Sequence, residues 1–115
     1  MQKGMNRTRT ERRRQEAVVK ARIAKLIREG QGFVAGTLSE RMRVCGTPSC
    51  KCVTQRVRHA GLYLVQRRDG KLKQLFIPES WSDDVRQWVM NYEVLEELIE
   101  ELSTIWWESV QAREI

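Results

Sequence analysis

The feature that most constrains the fold of this sequence is a heptad repeat of apolar residues in its carboxyl-terminal third. Steps of four and three separate its members, which are Trp81, Val85, Trp88, Tyr92, Leu95, Ile99, Leu102 and Trp106. This spacing is typical of a coiled-coil seam and predicts one long amphipathic helix over residues 80–112. At 1.5 Å per residue the helix is about 45 Å long, which exceeds the width of a small globule. Part of the seam must therefore pack on an earlier helix, and we expect the rest to contact a second copy or a helical partner.

Two capping patterns predict where the helices begin. Thr8 and Glu11 have the spacing of a capping box, so they predict a helix over residues 8–30 that ends at Gly30. Ser80 and Asp83 have the same spacing and predict the start of the long helix. Residues 1–7 are expected to be frayed.

The segment between the helices predicts three strands. Apolar and polar residues mostly alternate from Leu38 to Val44, which predicts a strand with one buried face. The pair Asp69-Gly70 lies between two apolar runs, 62–65 and 75–77, and predicts a two-residue hairpin turn with positive φ at both positions. In that register Arg68 faces Lys71, Leu64 faces Leu75 and Tyr63 faces Phe76.

Three cysteines cluster near the only histidine of the chain. They are Cys45, Cys50 and Cys52, and the histidine is His59. Three thiolates and one imidazole complete a tetrahedron around zinc. The start of the chain lacks a secretory signal and no apolar run is long enough to span a membrane, so we expect a cytoplasmic protein, in which clustered cysteines favour metal over disulfides. The alternatives are three free thiols with a surface histidine, or a site in which water or another residue replaces His59.

The predicted zinc is structural. It would close the loop 45–59 and join the end of one strand to the start of the next. Four protein ligands leave no position open for water, and no second histidine remains to act as a general base. The sequence therefore predicts a protein that is not an enzyme. The expected fold is α+β, a single domain over 1–115 with a basic helix (8–30), a zinc-clipped three-stranded antiparallel sheet (33–78) and an acidic helix (80–112).

Charge is segregated along the chain. Residues 1–78 carry 19 lysines and arginines against 5 carboxylates, whereas residues 79–115 carry 2 against 10. The basic part predicts nucleic-acid binding with weak sequence specificity. The candidate contacts are Arg12, Arg13, Arg14, Lys51, Arg56, Arg58, Arg67, Arg68, Lys71 and Lys73. A solvated run is the alternative for Arg12 to Arg14. Tyr63 or Phe76 could stack on a base if exposed, but both are expected in the core.

All four tryptophans lie on the long helix. We expect Trp81 and Trp88 to pack on the sheet and the first helix. Trp106 and Trp107 are adjacent and cannot both face one seam, so at least one is expected at an interface with a partner or a second copy. The alternative function is thus a protein-interaction or oligomerisation module without a nucleic-acid role, in which the acidic helix could cover the basic face of another copy.

Several motifs together resemble a known family. The run Cys-Gly-Thr-Pro-Ser-Cys-Lys-Cys occupies residues 45–52, and His59, Tyr63, Ile77-Pro78, Val85-Arg86 and Asn91-Tyr92 follow. This order resembles small bacterial and archaeal proteins with a domain of unknown function, whose pattern is Cys-Gly-x-Pro-x-Cys-x-Cys and then His-Gly-Pro-Tyr. The resemblance covers about residues 33–105. It implies a mobile-element setting, because such proteins are often encoded near transposases, but no established activity. One departure is His-Ala-Gly-Leu at 59–62 in place of His-Gly-Pro-Tyr.

Overall fold

The computed structural model of the protein describes residues 7–43 and 59–115, and of residues 43, 59 and 60 it describes the backbone. The elements are helix α1 (Arg9–Glu29), strands β1 (Thr37–Arg43), β2 (His59–Arg68) and β3 (Lys71–Ile77), a 3₁₀ turn (Glu79–Trp81) and helix α2 (Ser82–Gln111). The α+β prediction is confirmed. The chain forms two compact units: a helical unit of residues 1–31 and 91–115, and a sheet unit of residues 32–90.

Helix α1 begins at the predicted capping box. The Thr8 hydroxyl accepts a hydrogen bond from the Glu11 N–H at 3.1 Å, and the Thr8 N–H donates to Glu11 Oε1 at 2.8 Å. The second bond holds the pKa of the Glu11 carboxyl below its ordinary value of 4.5, because it stabilises the charged form. The helix ends where Gly30 donates its N–H to the Leu26 carbonyl at 2.7 Å. Both predicted ends are confirmed.

Helix α2 begins two residues later than the capping pattern predicts. Ser80 lies inside the 3₁₀ turn, in which the Trp81 N–H donates to the Pro78 carbonyl at 2.9 Å. Pro78 lies outside the helical region, with φ −57° and ψ 145°, and one 3₁₀ turn follows it before the α-helical bonds begin. Asp83 lies in the first turn of α2, as predicted, where its charge complements the helix dipole.

The core of the helical unit confirms that part of the long helix packs on the first one. Val19 of α1 is buried with Leu98 and Ile105 of α2, and Ile23, Leu26 and Leu102 pack against them. The predicted seam is wrong in detail, since Ile99 and Trp106 are 48% and 44% exposed. The sheet covers the beginning of α2 and α1 covers its later part, so no single heptad stripe needs to be buried throughout.

The sheet is antiparallel with strand order β1-β2-β3. Asp69 and Gly70 have φ values of 52° and 74°, as a tight turn of this kind requires. Tyr63 pairs with Phe76, Leu64 with Leu75 and Arg68 with Lys71, so the predicted register is confirmed.

The start of α2 covers one face of the sheet. Leu62, Leu64 and Ile77 from the strands are buried with Val85 and Val89 from α2, and Val34, Leu38 and Trp88 pack against them. The prediction that Trp88 packs on the sheet is thereby confirmed. Trp81 is 58% exposed, so the expectation that it also packs in the interior is wrong. It precedes α2 on the 3₁₀ turn and does not share the buried position of Val85.

Candidate nucleic-acid interface and metal centre

The predicted metal ligands lie around the gap in the described chain. Cys45, Cys50 and Cys52 fall outside the described residues, as do the basic residues Lys51, Arg56 and Arg58. His59 is the first residue of β2, and its Cα partner across the sheet is Arg43, the last residue of β1. Within 7–43 and 59–115, no cluster of three histidine, cysteine or carboxylate side chains could hold a metal ion.

Four cations surround the turn of the β2–β3 hairpin. Arg67, Arg68, Lys71 and Lys73 are all exposed. None of them forms a salt bridge with a carboxylate in the described part of the chain. Because side chains alternate along a strand and paired residues share a face, Arg67 lies on one face of the sheet and the other three lie on the opposite face. The hairpin tip therefore presents positive charge on both faces.

Arg12 differs from its expected role as a surface contact. Its side chain is only 5% exposed. Its guanidinium donates to Ser109 Oγ at 3.1 Å and to the Arg7 carbonyl at 2.5 Å, and it forms an ion pair with Glu114. Position 12 faces the end of α2, and its guanidinium satisfies polar groups there. Arg12 is thus a structural residue and leaves the nucleic-acid set.

The neighbours of Arg12 divide by helix face. Arg13 and Arg14 are exposed, as predicted. Arg7 forms a two-pronged ion pair with Glu108, with both N–O distances 2.9 Å, and this hydrogen bonding raises the pKa of Arg7 above its ordinary value. The amino-terminal cations therefore serve two purposes. Arg7 and Arg12 bind groups at the end of α2, whereas Arg13 and Arg14 face solvent.

The second face of the sheet, which we call the open face, lies opposite the core. Tyr63 and Phe76 both lie on it, contrary to their expected place in the core, and Phe76 is 49% exposed. Their ring centroids are 5.6 Å apart with an interplanar angle of 68°, and the Arg41 guanidinium lies 4.8 Å from the Tyr63 centroid. The sequence did not indicate this arrangement. Residues 62–65 are all apolar, so their pattern does not show which of them face the core.

Arg41 is a site residue that sequence reasoning did not select. It is exposed, and its Nε donates to Ser39 Oγ at 3.3 Å. Its place among the polar positions of β1, which alternate with Leu38 and Met42, was the available signal. That alternation places Arg41 on the same face as Gly61 and Tyr63 of β2.

The end of α2 exposes large apolar side chains in the helical unit. Trp106 and Trp107 are 44% and 68% exposed, and the nearby Val110 is 62% exposed. No helix in the described parts of the chain has the length and apolar character needed to cross a membrane.

Comparison with protein families gives a match over most of the chain. Residues 8–87 match the model of a family described as a domain of unknown function, DUF6788. No curated protein and no solved structure matches the chain.

Proposed function

This chain belongs to the DUF6788 family, and we propose that it binds nucleic acid through the exposed cations around its hairpin, beside a structural zinc. The observation that carries the proposal is the hairpin tip, where four cations lie exposed around a two-residue turn. Unpaired cations attract phosphates more effectively than cations already matched to carboxylates, because no ion pair must be broken first. Phosphate contacts of this kind carry no base identity, so sequence specificity is weak.

A salt titration tests the nucleic-acid proposal. Binding of a labelled oligonucleotide should be detectable at 50 mM salt, and the logarithm of affinity should fall linearly with the logarithm of salt concentration. No binding at 50 mM salt, or binding that salt does not weaken, contradicts the proposal.

Matched double variants locate the contact. Replacing Arg68 and Lys71 by glutamine should reduce the salt slope by about 1.5, since each lost phosphate contact removes about 0.7 to 0.9. Replacing Arg22 and Lys25 on α1, which are also exposed, removes the same charge at a distant place in the sequence and serves as the control. An equal loss in both variants assigns the effect to net charge and removes the hairpin from the proposal.

We also infer that Cys45, Cys50, Cys52 and His59 hold zinc. The register supports this, because Arg43 pairs with His59 and Cys45 follows Arg43 by two residues. A zinc at this point would join the ends of two adjacent strands. Three thiolates and an imidazole match its preferred ligands, and structural zinc of this type contributes roughly 10 kcal/mol to folding.

Elemental analysis of freshly purified protein tests the metal. We expect one zinc per chain, loss of zinc in Cys50→Ser and a lower melting temperature with chelator. His59→Ala separates the alternatives, because zinc retained at full stoichiometry in that variant would show that water or another residue completes the tetrahedron. Absence of zinc from the native protein rules out the centre.

A second candidate function is self-association through the helical unit, which the exposure of Ile99 and Trp106 favours. Both are members of the predicted heptad seam that α1 leaves half-exposed. We propose that a second copy, or a helical partner, covers them. Light scattering at tens of micromolar should then report a mass above that of the monomer, and Ile99→Lys should return it to the monomer. A monomeric native protein removes the self-association form of this proposal.

The mobile-element setting, which the family resemblance implies, stays a prediction.

A further inference from the structure

We propose that the open face of the sheet binds single-stranded nucleic acid by stacking an unpaired base on Phe76. This inference rests on the proposed nucleic-acid function and assigns it a strand type and a stacking residue. Phe76 lies on the edge strand β3, opposite Tyr63 of the central strand, and half of its surface is exposed. The rest of β3 is also accessible, because six of its seven residues are exposed and only Ile77 is buried.

The charge on the open face favours a polyanion. Its members among the residues whose side chains are described are Thr37, Ser39, Arg41, Gly61, Tyr63, Val65, Arg67, Leu72, Gln74 and Phe76. This set contains two cations and no carboxylate. The opposite face contains Glu40, which forms an ion pair with Arg86 of α2 at 3.5 Å. The opposite face also carries Arg68, Lys71 and Lys73 near the turn, but the start of α2 covers its centre. The open face is therefore the one on which exposed cations and aromatic rings lie side by side, as a phosphate chain with unpaired bases requires.

Ring geometry makes Phe76 the stacking platform. The Tyr63 and Phe76 rings are inclined by 68°, so one base cannot lie flat on both. Tyr63 is half-buried, and the Arg41 guanidinium lies over its ring. Phe76 is the more exposed ring, and Tyr63 acts as a positioning residue because it contacts Phe76 edge to face.

The arrangement suits a single strand better than a duplex. Bases in a duplex are already stacked on their neighbours and hide their faces, whereas an unpaired base can turn onto an aromatic ring. Arg41 on β1 and Phe76 on β3 lie on the two edge strands, about 10 Å apart by the usual strand spacing. A strand stacked on Phe76 can thus keep a phosphate near Arg41 or Arg67.

Gly61 allows the rings to lie close to the sheet. A Cβ at this position would lie 3.3 Å from Tyr63 Cε1 and 3.6 Å from Phe76 Cε1. The absence of a side chain here leaves room for the edge of the Tyr63 ring, whereas the distance to Phe76 is an ordinary van der Waals contact. The Tyr63 ring, which contacts Phe76, therefore lies close to the backbone of β2.

The test compares three fluorescently labelled probes with the full-length protein. They are an oligothymidylate, an oligouridylate and an abasic deoxyribose-phosphate oligomer, all twelve nucleotides long, and a twelve-base-pair duplex competes with them. Stacking predicts that the base-containing strands bind at least about fivefold more tightly than the abasic strand, because the phosphate charge is the same in all. The DNA and RNA probes show which of the two strands is preferred.

Three variants assign the difference to the open face. Phe76→Leu should lose about fivefold or more in affinity for the base-containing strands and leave abasic binding unchanged. Phe76→Trp should keep or increase that affinity, which a merely structural role would not predict. Trp81→Leu removes another exposed aromatic ring, on the 3₁₀ turn, and should leave every affinity unchanged. Circular dichroism of each variant verifies that it is folded.

The outcomes separate the inference from the proposed function. If the native protein binds abasic and base-containing strands equally and Phe76→Leu changes nothing, the stacking inference is overturned while the basic hairpin remains the nucleic-acid contact. If the duplex competes more strongly than either single strand, the strand type is wrong. If the native protein binds none of the probes, the proposed function and this inference fail together.

Discussion

Arg12 shows how a single residue in a basic run can have a structural role. Its guanidinium lies beside the last turn of α2 and contacts Ser109, Glu114 and the carbonyl of Arg7. Net charge in the sequence did not distinguish it from its neighbours, because the position of a side chain on a helix decides whether the charge faces solvent or the partner helix.

Replacing Arg12 tests this difference in role. Arg12→Ala should lower the free energy of unfolding by about 2 kcal/mol or more, because buried hydrogen-bond partners lose their donor. Arg13→Ala, next to it and exposed, should change stability by less than about 0.5 kcal/mol. Urea denaturation measures both, and equal effects would refute the structural role of Arg12.

Arg113 holds an unusual backbone conformation for its residue type. Its φ is 59°, and the turn it forms lets the Glu114 N–H donate to the Ser109 carbonyl at 2.9 Å, while its own N–H donates to Val110 at 3.0 Å. This is the Schellman arrangement in which glycine is preferred. The turn also brings Glu114 to Arg12.

Glycine at position 113 should therefore stabilise the protein. Arg113→Gly removes the left-handed strain and should add about 1 kcal/mol to the free energy of unfolding. Gln111→Gly, inside the last turn of α2, should have the opposite sign because glycine is costly within a helix. A denaturation series in which Arg113→Gly is as harmful as Gln111→Gly would contradict the assignment.

At the scale of elements, two glycines of the sheet unit cannot be replaced by larger residues without a loss of stability, for different physical reasons. A Cβ on Gly32 would lie 2.6 Å from the Trp88 ring, next to the point where the Val34 N–H donates to the Trp88 carbonyl at 3.2 Å. A Cβ on Gly70 would meet no atom within 4 Å, but its φ is 74°. The first position excludes a side chain by contact and the second by backbone conformation.

Alanine at these positions should have separable costs. Gly70→Ala should cost about 1 kcal/mol through backbone strain alone, whereas Gly32→Ala should cost about 1–3 kcal/mol through overpacking. Combining each with Trp88→Leu provides the check: the smaller side chain should relieve the cost of Gly32→Ala and leave that of Gly70→Ala unchanged. Relief of both, or of neither, would show that the contact with Trp88 is not the cause.

Local sequence patterns predicted the helices and strands well. Features that depend on long-range packing were not predicted. The capping box at Thr8 and the Asp69-Gly70 turn depend on residues close in sequence, so bounds and register followed from them. The open face did not, because Leu62, Tyr63, Leu64 and Val65 are all apolar and only contact with Val85 and Val89 decides which are buried. The prediction of one continuous buried stripe on α2 failed for a similar reason, since the sheet covers the beginning of this helix and α1 covers its later part. Cys45, Cys50 and Cys52, the proposed metal ligands, lie outside the described residues, so the sequence prediction for them stands as a proposal.

At the scale of the whole molecule, each unit has its own core. Leu62, Leu64, Ile77, Val85 and Val89 form the core of the sheet unit, and Val19, Leu98 and Ile105 form that of the helical unit. Among the proposed zinc ligands, His59 begins β2 of the sheet unit, and Cys45 follows the end of β1 by two residues in the sequence. Metal and helical packing should therefore stabilise different parts of the chain.

Hydrogen exchange after chelation tests this division. Removing zinc should shorten the protection of amides in β1, β2 and β3, while protection of α1 and of residues 95–110 changes much less, because local opening follows the unit that lost its support. Ile105→Ala should give the reverse pattern and cost about 2–5 kcal/mol. Uniform loss of protection in both cases would show that the chain opens as one cooperative body.

The distribution of the four indoles determines which optical signal can follow these changes. Trp81, Trp106 and Trp107 are between 44% and 68% exposed, whereas Trp88 packs against the core of the sheet unit. Intrinsic fluorescence of the native chain should already have the long emission wavelength of hydrated tryptophan, so unfolding will shift it little. Replacing Trp81, Trp106 and Trp107 by phenylalanine would leave Trp88 as a single emitter whose wavelength reports the sheet unit alone.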